Sequence, residues 1–210
     1  MSIDFNTCRM SKAGNIILPK ARMGFPALLE PKEGQNGGKP KYSAVFLVPA
    51  SADITLLKKA VKDLFLAKYG DEQSIPDKVF NPLKQRARDK RSAETGNRYF
   101  PEDLDDWYAL TASSTQAPGV IGPDGKNVTE SNQVYSGRWA CASVRPFWFE
   151  ARDPKNPKVI LNRGVSFGLQ NVQLLDNDEQ WGATRAKAED EFEPVESAAG
   201  AAKGGDSIFD

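Results

Sequence analysis

Apolar residues recur along this chain at two spacings, and the spacings divide it into strands and one helix. KYSAVFLVP (Lys41 to Pro49) is a compact, largely apolar run behind the flexible loop GQNGGKP, and it predicts a strand. NIILPKARMGFPALLEPK (Asn15 to Lys32) mixes β-formers with Pro19, Pro26 and Pro31, so it predicts a bent or edge-type strand. Between Ser51 and Gly70 the period changes. Ile54, Leu57, Val61, Leu64 and Phe65 return at helical spacing, with Ser51 or Asp53 as the cap and Gly70 as the stop. Lys58, Lys59 and Lys62 fall off the apolar stripe, as a solvated helix face requires. Residues 71–105 carry no sustained period and predict a long irregular connection. Strands return in DWYALTASS, SGRWACASVRPFWFE and RGVSFGLQNVQLL. A turn is predicted at Gly122-Pro123-Asp124-Gly125, because proline presets φ and glycine accepts a positive φ.

About five strands, one main helix and several long loops predict a mainly β, α+β domain built as a small closed or partly closed barrel. The 210-residue length is enough for one substantial core with an appendage. We place the domain at residues 1–185 and a disordered acidic tail at 186–210. The tail holds seven acids against two lysines, a net of −5, which leaves +5 on the body of a chain whose formal charge is zero. Such asymmetry points to a polyanionic partner or an acidic interaction tail.

Composition narrows the chemistry. The chain has no histidine, which removes Ser–His and Cys–His pairs, imidazole bases and histidine zinc sites together. Cys8 and Cys141 are too few for a disulfide framework, so a reducing host-cell cytoplasm is expected. No apolar run approaches the roughly 20 residues of a membrane-spanning helix, and no membrane partner is expected.

Three clusters are candidates for function. The run Lys84, Arg86, Arg88, Lys90, Arg91 and Arg98, followed by Tyr99, holds six cations against two acids. A basic loop ending in an aromatic suits a phosphate backbone. Lys39, Lys41 and Tyr42, at the entry to the first compact strand, are counted with it. The second cluster is GRWACASVRPFWFEAR, in which Trp139, Cys141, Ser143, Arg145, Phe147 and Phe149 alternate with Arg138, Ala140, Ala142, Val144, Pro146 and Trp148. Rings and arginines interleave on both faces, so Arg138, Trp139 and Arg145, with Trp107 on the preceding strand, are candidates for stacking and phosphate contact. The plain alternative is that such rings are core. The third cluster, Glu102-Asp103-Leu104-Asp105-Asp106, carries the type of residue a metal-dependent nuclease requires. A solvated acidic loop is the simpler reading.

These motifs, in their order and spacing, resemble the bacteriophage single-stranded DNA-binding proteins with an OB fold. YSAVFLVPASADITLLKKA is similar to that family's strand, proline and helix, and SSTQAPGVIGPDGK to its central Pro-Gly turn segment. YSGRWACASVRPFWF is similar to its Tyr-x-Gly strand, and NRGVSFGLQNVQLLDND to its closing strand. The resemblance implies non-catalytic, largely sequence-independent binding of single-stranded DNA in phage replication, recombination and repair, with no cofactor. It also implies a tail tip that docks on replication or recombination proteins. Asp206, Ile208 and Phe209 match the acid, aliphatic and aromatic parts of such a tip, although Asp210 follows where the family's aromatic closes the chain. A tail that docks on a neighbouring subunit favours a homodimer. The competing functions are a metal-dependent phage nuclease and a phage structural or assembly protein that ignores DNA.

Overall fold

The computed structural model describes residues 4–34 and 38–182, so the tail and its tip lie outside the described residues. Three short strands, β1 (Arg9–Met10), β2 (Ile16–Ile17) and β6 (Gly119–Ile121), accompany five longer ones. The longer strands are β3 (Ala21–Gly34), β4 (Gly38–Val48), β5 (Tyr108–Ser114), β7 (Trp139–Arg152) and β8 (Ile160–Leu174). These five close a ring in the order β3-β4-β5-β8-β7 and back to β3, with β5 and β8 parallel and the other pairs antiparallel. First, second, third, fifth and fourth strands thus follow one another around the barrel, the arrangement expected of an OB fold. The strands β1 and β2 extend the sheet beyond β7, and β6 lies parallel to β8.

The barrel closes because alternate residues on each strand are apolar. Ala44, Phe46 and Val48 of β4, Leu110 and Ala112 of β5, and Val165, Phe167 and Leu169 of β8 all enter one core. The helix α1 (Thr55–Tyr69) buries Leu57, Val61 and Phe65 against it, each contributing about 1.5–3 kcal/mol. Asp53 Oδ1 accepts a hydrogen bond from Thr55 N at 2.9 Å, and Gly70, at φ 88°, ends the helix on the Leu66 carbonyl. The predicted proline turn forms, with Gly125 N donating to Gly122 O at 3.1 Å.

The stretch Asn15 to Lys32 is not one edge strand. It divides into β2 and β3, and β3 is an integral stave of the ring. Its prolines are tolerated because β3 pairs with β7 only at Ala21 and Arg22, leaving one edge free beyond them. A register shift between Gly24 and Ala27 absorbs Phe25, which has a positive φ of 49°, and Pro26.

Residues 71–105 are irregular, as expected, and the connection runs on through Asp106 and Trp107, which precede β5 instead of opening it; the connection is a structural wedge. Beyond Ala112 and Phe167 the strands β5 and β8 diverge, and residues 80–87 fill the gap. Phe80 N donates to Arg163 O and Val165 N to Phe80 O, while Ala109 N donates to Gln85 O on the other side. Gly164 permits this, since a Cβ there would collide with the Phe80 carbonyl. The rest of the connection folds over the barrel's outer face, where Ala87, Phe100 and Leu104 form a second core with Leu47 and Ala109. No described helix is long and apolar enough to cross a membrane.

Candidate nucleic-acid interface

The second core covers only part of the outer face, and the uncovered part is a floor of small side chains. Ser43 of β4 lies opposite Ser113 of β5, Ser113 opposite Gly168 of β8, and Gly168 opposite Arg145 of β7. These four residues cross four strands in one row, roughly 14 Å at ordinary strand spacing. All four point away from the barrel core, because their neighbours Ala44, Ala112, Phe167 and Val144 are in it. A Cβ at Gly168 would meet no atom closer than 3.5 Å. The floor is therefore open to close approach by a flat or charged group.

Its borders carry rings and cations. On the β7 side, Arg145 is exposed and makes no ion pair among the described residues, and Phe147, opposite Ser166 on the same face, is 42% exposed. On the β4 side, Lys39 and Lys41 stand exposed on the arm that β4 makes with β3, with Lys32 opposite Lys41. On the β3 side, Tyr99 is 44% exposed and packs edge-on against Phe25 at 5.0 Å. Phe25 in turn contacts Phe100, which lies over Gly24, the residue opposite Val45. Tyr42 is half-buried at the barrel's end, opposite Ser114.

The acidic cluster neutralises two cations of the basic run. Arg88 pairs with Asp106 at 2.6 Å, and Arg98 holds both Asp105 oxygens at 2.6–2.7 Å. Two clusters that compete in sequence thus answer each other in space. Arg86 donates to the Leu83 and Gln85 carbonyls and stacks over the Tyr108 ring at 3.9 Å, fastening the wedge to β5. Arg91 donates to Gly96 O. Lys90 is half-buried, and that burial pushes its ammonium below the ordinary lysine range. Lys84 alone of the run is exposed without a described ion-pair or hydrogen-bond partner. Among the described residues no group of three acidic, histidine or cysteine side chains is arranged to hold a metal ion.

Strand β7 also splits its candidates. Arg138 is only 7% exposed and donates to the Gln133 and Leu175 carbonyls at 2.9 and 3.1 Å, so it ties loops together. The Trp139 ring lies 6.0 Å from Trp107, under Lys20 and Arg22, and its indole N–H donates to Asp178 at 2.7 Å. Arg22 also lies over Trp181 and pairs with Asp178 at 2.9 Å. The segment 176–181 is thereby strapped across Trp139. Two of its carboxylates sit below the ordinary range, Asp176 through its bond from Lys20 and Asp178 first through the Glu179 amide. Burial pushes the Cys8 thiol up to about 12 and that of Cys141 to about 11.

Of the sequence candidates, the structure groups Lys39, Lys41, Tyr99 and Arg145 around the open floor. It places Arg86, Arg88, Arg98, Arg138, Trp107 and Trp139 in internal contacts. Sequence reasoning missed Ser43, Ser113 and Gly168 as a site. Their signal was present in KYSAV, TASS and SFGLQ, where small residues occupy the outward positions of otherwise apolar strands.

A family model described as Enterobacter phage Enc34, ssDNA-binding protein, matches residues 14–202. Protein p50 of Acyrthosiphon pisum secondary endosymbiont phage 1 is 26% identical over 194 residues, 87% of this chain and 95% of that protein. Among solved structures, the fold is similar to the single-stranded DNA-binding protein from bacteriophage Enc34 in complex with ssDNA. That match has a TM-score of 0.61 at 20% identity and covers 87% of this chain and 96% of that one. Another structure of the Enc34 protein matches with a TM-score of 0.60 at 19% identity, over 92% of this chain and 97% of that one.

Proposed function

The chain belongs to the Enterobacter phage Enc34 single-stranded DNA-binding protein family, and from that premise we propose that it binds single-stranded DNA across the Ser43–Ser113–Gly168–Arg145 floor without hydrolysing it. The observation that carries this reading is an uncovered row of small side chains with an unpaired arginine and exposed rings at its borders. Arg145, Lys41 and Lys39 neutralise phosphates, and Phe147 and Tyr99 offer flat faces to bases. A stack is worth about 1–3 kcal/mol per base and is tolerant of sequence, because every base has a π-face. Serine hydroxyls both donate and accept and glycine offers no side chain, so neither discriminates between base edges, consistent with sequence-independent binding. The acidic cluster is engaged with Arg88 and Arg98, which argues against a nuclease. A role inside the host cell in phage replication, recombination and repair, with proteins recruited through Asp206, Ile208 and Phe209, completes the proposal.

The test is fluorescence anisotropy of a labelled oligo-dT, with and without magnesium. A labelled strand is preferable to intrinsic fluorescence, since Trp107, Trp139, Trp148 and Trp181 are each packed against another aromatic ring. With about four phosphates engaged, log K should fall against log salt with a slope of about −3, and the strand should stay intact. Absence of binding at about 50 mM salt, or cleavage of the strand, overturns the reading.

A further inference from the structure

A second concavity, of about 350 Å³, lies on the outer face of β7 and β8 beside the floor, walled by the short strands β1, β2 and β6. Register builds it as a row: Arg9 opposite Ile17, Ile17 opposite Ser143, Ser143 opposite Asn171, and Asn171 opposite Gly119. Gln173 and Ile121 pair in the adjoining row. Two features mark it as more than a dent. The Arg9 Nη1 is buried and has no hydrogen-bond partner among the described residues. The nearby Asp4 carboxylate is already engaged with Asn6 N and the Thr7 hydroxyl. Arg9 as a whole is only half-buried and lines the concavity, so an anion entering there would meet a guanidinium with donor capacity to spare. The Asn171 Oδ1 accepts from Gly119 N at 3.1 Å, leaving its amide hydrogens, like the Gln173 amide and the Ser143 hydroxyl, without a described partner.

We infer that this concavity is a nucleotide subsite: it takes one nucleotide of the bound strand, with the phosphate on Arg9 and the base between Ile17 and Ile121 within reach of the Asn171 and Gln173 amides. The choice of ligand follows from continuity. Ser143 is the outward residue next before Arg145 on β7, about 7 Å away along the strand. A strand crossing Gly168 therefore needs one further step to enter the concavity. Apolar walls with side-chain amides suit a base, whose flat face and polar edge meet both. This subsite rests on the proposed single-stranded DNA binding, and the variants below separate the two.

Calorimetric titration of the full chain with oligo-dT of stepwise increasing length tests it. In the wild type, affinity rises until the strand fills the last subsite. Ser143→Tyr fills the concavity from a solvent-facing position, and Arg9→Gln removes the cation. Each should abolish the final increment, stopping the rise one nucleotide earlier and weakening the longest strands about tenfold. Arg9→Gln should also flatten the salt slope by about 0.7. If both variants keep the wild-type length dependence while Phe147→Ala weakens binding, the subsite is wrong and the DNA-binding reading survives. If Phe147→Ala and Arg145→Ala are also without effect, the reading itself falls. Should Arg9→Gln lower the thermal midpoint, Ser143→Tyr decides, because its side chain lies outside the core.

Discussion

At the scale of single residues, the chemistry of a side chain is set by what it touches, and the arginines show the range. Arg138 and Arg145 are seven positions apart on one stretch of chain. The former is buried between two carbonyls, and the latter is exposed with no ion pair among the described residues. Arg138→Ala should therefore lower stability by about 1–3 kcal/mol in urea denaturation, through carbonyls left unsatisfied. Arg145→Ala should leave stability unchanged and reduce the salt slope of DNA binding by about 0.7. Phe147→Ala should weaken oligo-dT binding about tenfold at constant stability, one lost stack's worth. The cysteines supply a further check. Their buried thiols are held near 11 and 12, so Ellman's reagent at pH 8 should react with neither until denaturant is added.

At the scale of elements, the irregular connection is the least regular part of the sequence and among the most consequential parts of the fold. Residues 80–87 wedge β5 from β8, and Phe100 settles onto Gly24, where a Cβ would fall 2.5 Å from its ring. Gly24→Ala should disturb the second core and free Tyr99 and Phe25 from their pairing, seen as a lower thermal midpoint and a weaker grip on DNA. The strap 176–181 has its own signature. Asp176 and Asp178 are depressed below the ordinary 3.8, so their stabilisation is complete above that value. It is lost as pH falls through the depressed folded values, since protonation must break the bonds from Lys20, the Glu179 amide and Trp139. Tryptophan emission should therefore change as acid releases Trp139 and Trp181, and Asp178→Asn should shift that transition.

At the scale of the whole molecule, charge is arranged against itself. Residues 1–185 carry +5 and residues 186–210 carry −5. We propose that the acidic residues 186–210 compete with DNA for the cations of the floor, since the two polyanions are attracted by the same charges. Deleting residues 186–210 should tighten oligo-dT binding at low salt and change it little at high salt, where the attraction is screened. Unchanged or weaker affinity at low salt would remove the tail from the mechanism.

The sequence by itself determined what local periodicity can encode. The helical spacing from Ile54 to Phe65, the alternation in KYSAVFLVP and the Pro-Asp-Gly turn each specify an element through contacts only a few residues apart. The absence of histidine bounded the chemistry in the same way. What only the tertiary structure decided is which cations remain free. Arg88 finds Asp106 and Arg98 finds Asp105 across a folded loop, and the floor exists because Ser43, Ser113 and Gly168 meet across strands far apart in the chain. Pairing between distant strands depends on register and closure of the ring, and neither is written in the neighbourhood of any one residue.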